Sequence, residues 1–133
     1  MTLTAGTAIS FNQLPVITQE NLRRYADASG DHNGIHLDEQ IAKSMGLPGV
    51  IAHGMLSAGF LGERAMHAVR NEAGRNDLRL TRFQCRFKSM VHLGDQISVG
   101  GTVKDAAEGK VVLELSAKNQ KDEIVTVATV EFQ

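Results

Sequence analysis

Only one cysteine, Cys85, occurs among the 133 residues. An internal disulfide is therefore excluded, and without a CxxC pair nothing suggests structural zinc. A lone cysteine of this kind reads as a small buried hydrophobe. Long apolar runs are missing as well, so no segment suits a bilayer crossing. The opening MTLTAGTAISF has neither the basic leader nor the apolar stretch of an export signal, which makes a cytoplasmic, reducing setting the expectation. Neither sign of charge is in excess. Fourteen Lys+Arg against 15 Asp+Glu leave a net −1, with no broad positive field to draw nucleic acid or an anionic membrane. Proline is confined to Pro15 and Pro48, and no repeat, low-complexity tract or linker interrupts the chain. What is there is 42% hydrophobic and 22% charged, a globular composition, in a length that suits one domain over residues 1–133.

Periodicity divides the chain into a helical first half and a second half of strands. A short strand is expected around Ala8 to Phe11. Thr18 is placed to cap a helix with Leu22, Tyr25, Ala26 and Ser29 facing inward, and Gly30 ends it. From Asp38 a shorter helix would carry Ile41, Ala42 and Met45 inward until Gly46 and Pro48 stop it. The next helix starts near Gly54 and reads MLSAGFLGERAMHAV, apolar or small on nearly every side, so it expects to be surrounded. Its small residues Ala58, Gly59 and Gly62 suit close approach by backbone or ligand.

Past the polar stretch Asn71 to Asp77 the period changes to two. Phe83, Cys85 and Phe87 alternate with Arg82, Gln84, Arg86 and Lys88, as in a strand with one buried face. Turns at His92 to Asp95, Asp105 to Gly109 and Gln120 to Glu123 separate the later apolar runs. Three successive hairpin-like connections predict an antiparallel sheet. One apolar helix with four or five such strands predicts an α+β fold, the sheet wrapped around the helix.

The segment SGDHNGIHLDEQIAKSMGLPGVIAHGM, Ser29 to Met55, resembles the signature of the MaoC-like enoyl-thioester hydratases, SGDxNPxHxD followed by AHGM. The resemblance implies the hotdog fold, a long central helix wrapped by an antiparallel sheet, and pairing into a homodimer. It implies a hydro-lyase of fatty acid metabolism: an (R)-specific 2-enoyl-CoA hydratase or, in reverse, a 3-hydroxyacyl thioester dehydratase. The substrate would be a thioester of coenzyme A or acyl carrier protein, and no cofactor is implied. One departure is Gly34, where the family has proline; the loop loses a fixed φ and gains unfolded-state entropy.

Adding water across an enoyl thioester requires that water be deprotonated as it attacks C3, that the thioester oxygen accept negative charge, and that C2 receive a proton. A carboxylate and an imidazole on one loop can converge on a single water, and the resemblance assigns these roles to Asp31 and His36. The amides at a helix start lack intrahelical partners and carry partial positive charge, so Gly54 is the expected oxyanion donor. Around them, Asn33 is expected to brace the loop beside the substrate, His53 to orient the loop or border the substrate, and Ser57 to line the pocket or bond back to the helix.

Other readings stand beside this one. A hotdog acyl-CoA thioesterase would direct the water to the thioester carbon, and a mixed dehydratase dimer would use this chain as one subunit. A metal held by Asp31, His36 and His53 matches no common ligand spacing, so none is expected. Arg82, Arg86 and Lys88 share a strand face that could meet the phosphates of coenzyme A or an acidic carrier. Leu56, Phe60 and Leu61, with Met45 and Leu47, are candidates for an acyl tunnel, although each is first a core residue.

Overall fold

Helix starts differ along this chain in how their free amides are satisfied, and that difference positions the site. The computed structural model describes residues 1–133. Strand β1 (Ala8–Gln13) leads to α1 (Gln19–Ser29), where the Thr18 hydroxyl accepts from the Asn21 amide and the Asn21 side chain accepts in return from the Thr18 amide. This reciprocal cap uses up two donors. Gly30 closes α1 with φ 80°, a left-handed conformation that glycine adopts without cost. The second helix, α2 (Glu39–Ser44), is capped by the Asp38 carboxylate on the amides of Gln40 and Ile41. By contrast α3 (Gly54–His67) has His53 ahead of it and no side-chain cap.

Of the residues expected inward on α2, only Ala42 is buried; Ile41 and Met45 are exposed. Six residues are too few to form a continuous apolar face, so a single alanine makes the contact. Helix α3 does carry the core, through Leu61 and Ala65. It is not surrounded, however. Met55 is 57% exposed, and a Cβ at Gly59 would meet open space.

Beyond His67 the helix continues as a wider π-turn, Ala68–Glu72, into a stretch expected to be polar loop. Eight residues of α-helix make about 2.2 turns, so Glu72 would stand off the line of Arg64; widening the last five brings the count close to two. Glu72 thereby faces Arg64, whose Nη2 lies 3.1 Å from its Oε1 and 2.9 Å from the carbonyl of Ser10. The guanidinium is buried, and its ties run to β1 as well as to its own helix.

Strands β2 (Leu80–Phe87), β3 (Ser98–Ala107), β4 (Lys110–Lys118) and β5 (Ile124–Phe132) complete an antiparallel sheet in the order β1-β3-β4-β5-β2. Two of the three expected hairpins form, β3 to β4 and β4 to β5. The turn at His92 to Asp95 does not make one: β2 pairs with β5, and the following chain crosses to the far side of the sheet. On the way it passes the start of α3, where Ala52 donates to the Val91 carbonyl and Ile51 bridges His92. As an edge strand, β2 leaves Phe83 and Cys85 half-buried and Phe87 exposed. Close strand approach explains the glycine pair in β3, because a Cβ on Gly101 would lie 2.0 Å from the Glu114 carbonyl oxygen. Packed on the sheet's inner face, α3 meets Leu113, Leu115, Val130 and Phe132 in one cluster, and truncating a side chain as buried as Leu61 would cost roughly 2–5 kcal/mol. No helix is long and apolar enough to cross a membrane.

Candidate active site

The loop after α1 is built by side chains bonding the backbone two residues ahead. Ser29 Oγ accepts from the Asp31 amide at 3.1 Å, Asp31 Oδ1 from the Asn33 amide at 3.1 Å, and Asn33 Oδ1 from the Ile35 amide at 3.2 Å. Short polar side chains favour this turn geometry. The last bond opens a single 3-10 turn, Gly34–His36, that swings His36 inward. A Cβ at Gly34 would lie 2.8 Å from Ile41 Cδ1, so Ile41 fills the space where a proline ring would sit. The rigidity that proline would supply comes instead from the three linked turns.

His36 is buried, and its Nδ1 lies 2.7 Å from the Ile51 carbonyl oxygen. A carbonyl only accepts, so Nδ1 carries the proton and neutral His36 presents a bare Nε2. That nitrogen stands 3.9 Å from Asp31 Oδ2, whose side chain is half exposed. The separation is too long for a hydrogen bond. Two acceptors facing each other across such a gap suit a water that donates one proton to each.

His53 is buried directly behind. Its ring stacks on that of His36 with centroids 3.8 Å apart and planes at 23°, while Tyr25 meets its edge at 4.8 Å. Nε2 of His53 donates to the Asp31 carbonyl at 3.0 Å, whereas Nδ1 is buried without a partner. One imidazole thus fixes both members of the pair, the loop backbone by a hydrogen bond and the His36 ring by contact. Donor atoms of Asp31, His36 and His53 fall within 4.8 Å of one another, a spacing a metal could bridge. One nitrogen of each imidazole is committed to a backbone carbonyl, which leaves His36 Nε2 and His53 Nδ1 as the free ring nitrogens.

Gly54 opens α3 next to His53 with an amide that no backbone carbonyl or side chain accepts from, as expected at the first helical position. Gly54 lines a cavity of about 640 Å³ together with Asp31, His36, His53 and Ser57 among others. A Cβ on Gly54 would come within 3.1 Å of the Phe87 ring, so only glycine leaves room for a carbonyl between amide and ring. Asn33 does not line the cavity; its side chain accepts from the Ile35 amide within the loop. His32 turns back onto Asp27 at 3.1 Å, and that carboxylate raises its pKa.

Tyr25, Phe87 and Thr126 also border the cavity and had not been singled out as site residues. Tyr25 had a visible signal, since it shares the helix face of Ser29 at four-residue spacing. Phe87 and Thr126 had none, because only the pairing of β2 with β5 sets them opposite each other.

With the geometry in hand, comparison with known proteins is direct. A family model described as MaoC like domain matches residues 2–129. The chain belongs to the MaoC-like family. Among MaoC-like relatives, 3-hydroxyacyl-thioester dehydratase Z of Mycobacterium tuberculosis is 29% identical over 126 residues, 86% of this chain and 83% of that protein. Fatty acid synthase 2 of Mycosarcoma maydis is 32% identical over 112 residues, 82% of this chain but 3% of that protein's length. The solved structure of unliganded R-hydratase PhaJ1 from Pseudomonas aeruginosa superposes with a TM-score of 0.80 at 27% identity, covering 98% of this chain and 81% of that one. The MaoC-like chain has the hotdog fold, α+β with a five-stranded antiparallel sheet around a central helix, and its family is one of dehydratases and hydratases.

Proposed function

We propose that this chain, as one MaoC-like domain over residues 1–133, catalyses reversible addition of water to a trans-2-enoyl thioester, forming an (R)-3-hydroxyacyl thioester. The observation that carries the reading is the 3.9 Å gap between two acceptors, His36 Nε2 and Asp31 Oδ2, opposite the free amide of Gly54. Water held in the gap donates to both groups, which leaves an oxygen lone pair free to attack C3. As the C3–O bond forms, the C2=C3 π electrons move toward the carbonyl and negative charge gathers on the thioester oxygen. The Gly54 amide donates to that oxygen with the helix dipole behind it. One water proton passes to the Asp31 and His36 pair, and the pair delivers one proton to C2, so it ends as it began. A single site that holds the water and donates to C2 puts both new bonds on one face of the alkene.

Likeness to 3-hydroxyacyl-thioester dehydratase Z and R-hydratase PhaJ1 supports this reaction class. Met55, Phe87 and Met90 are about half exposed at the cavity mouth, an apolar rim that a second copy in a homodimer would cover. Cys85, unpaired and half-buried, fits a reducing, cytoplasmic compartment. Loss of enoyl absorbance on adding crotonyl-CoA tests the reading, and a screen by chain length and carrier extends it. If no enoyl thioester of any length loses its double bond, the assignment fails; if thiol is released without hydration, the site is a thioesterase.

A further inference from the structure

Two hydroxyls stand in the cavity beside Gly54 without a task. Ser57 on α3 and Thr126 on β5 both line it, and the two residues are only 3% and 2% exposed. Neither side chain hydrogen-bonds to another group of the protein. Since only His53 Nδ1 is both fully enclosed and unpartnered, the two hydroxyls open onto the cavity. The fold does not call for them. The inner face of β5 otherwise carries Ala128, Val130 and Phe132, so Thr126 breaks an apolar row. Ser57 sits one turn before the core residue Leu61 and makes no bond back to a carbonyl of the preceding turn, the common use of a helical serine. Its position follows from the helix: Ser57 is three residues past Gly54, about 4.5 Å of rise, and a helical Cβ leans toward the N-terminus, which brings the hydroxyl back toward Gly54. Thr126 is the ladder partner of Phe87, whose ring occupies the space beside Gly54. The residues expected to form an acyl tunnel are elsewhere. Leu61 is sealed in the core, Leu56 and Phe60 border a separate hollow against α1, and Met45 and Leu47 do not line the cavity.

We infer that Ser57 and Thr126 together bind a hydroxyl on C4 of the acyl group, so that the substrate is a short 2-enoyl thioester oxygenated at C4. The inference rests on the thioester reading above and names the substrate for that site. With the carbonyl oxygen on the Gly54 amide and C3 at the water, C4 is the next atom of the chain, and three carbon–carbon bonds reach about as far from C1 as Ser57 rises past Gly54. A C4 hydroxyl donates to one side chain and accepts from the other, and either side chain can take either role. Two neutral hydroxyls suit an uncharged oxygen. A plain alkyl group would displace water from both and return no hydrogen bond, the condition under which a polar site discriminates most strongly between substrates.

The test compares 4-hydroxycrotonyl-CoA with crotonyl-CoA in the wild type and in the Ser57→Ala/Thr126→Val double variant. The ratio of kcat/KM for the hydroxylated over the plain substrate is expected to fall about tenfold in the variant, the scale of two neutral hydrogen bonds. Comparing ratios cancels any difference in the substrates' intrinsic reactivity. Thr126→Val alone keeps the shape of the side chain and should lower the ratio about threefold. Because the hydroxyls answer no protein group, neither variant should melt below the wild type. An unchanged ratio overturns the inference, and an unchanged ratio with a large fall in melting temperature assigns the pair to folding instead. If the wild type hydrates neither thioester, the proposed function fails, and calorimetric titration with 4-hydroxybutyryl-CoA and butyryl-CoA still decides the pair: a preference for the hydroxylated ligand that the variants lose supports it, and equal or absent binding refutes it.

Discussion

The two ends of α3 each gather buried polar groups and treat them in opposite ways. At its last turns, Arg64 is buried with every polar contact answered, by Glu72, by the Ser10 carbonyl and by the Ser10 hydroxyl at 3.2 Å. At its first turn the Gly54 amide is free, His53 Nδ1 is buried without a partner, and Asp31 and His36 face each other without bonding. Unanswered polar groups cost stability. A protein that satisfies one helix end so fully and leaves the other open keeps the open end available for the proposed reaction, in which a substrate would supply the missing contacts.

Breaking the open end should cost turnover far more than stability. Asp31→Asn keeps an acceptor for the Asn33 amide but removes the base, and we expect kcat for crotonyl-CoA to fall about a thousandfold while the melting temperature stays nearly constant. Gly54→Ala places a methyl group against the Phe87 ring and before the amide; a loss of about a hundredfold is expected. Adding Phe87→Leu should relieve the crowding without restoring the rate, which would distinguish a blocked amide from a distorted strand. His53→Phe retains a ring beneath His36 but loses the bond to the Asp31 carbonyl. A drop of about tenfold in kcat with little change in KM is the expected mark of a positioning residue.

Breaking the satisfied end should reverse this pattern. Glu72→Gln leaves a buried guanidinium short of its counter-charge, at about 2 kcal/mol of stability in chemical denaturation, moderated by the partial exposure of Glu72, with turnover per folded molecule retained. Hydrogen bonding to Arg64 holds the Glu72 carboxyl below its ordinary pKa of 4.5, against burial, which pushes it up. A depressed folded-state pKa stabilises fully above 4.5 and is lost as pH falls through the lower folded value. The stability difference between variant and wild type should therefore be flat at neutral pH and close under acid; a constant gap down to pH 3 would show that the pair is not the cause.

The open end was more legible in the sequence than the satisfied one. The order of Asp31, Asn33, His36 and Gly54 marked the proposed site because these residues lie on one loop and one helix start. The stack of His36 on His53 and the Ile51 carbonyl that sets its tautomer were not visible, since both depend on the crossing segment that bridges Ile51 to His92. Alternation correctly marked Phe83, Cys85 and Phe87 as one face but could not say that β2 would be an edge, nor that the turn before β3 would carry the chain across the sheet. Periodicity also put Ile41 and Met45 inside, because a local pattern cannot count how much of a short helix has anything to pack against. The burial of Arg64 follows from a partner eight residues on, a spacing that regular winding would not bring into line.

That change of winding after His67 acts as an adjustable coupling between length and alignment. Removing one residue between Ala68 and Asn71 would let the helix continue regularly with the acid seven positions from Arg64, about 1.9 turns and still in line with the guanidinium, so the anchoring of β1 to the helix would survive the change. Shortened and full-length chains should then hold the first strand about equally well.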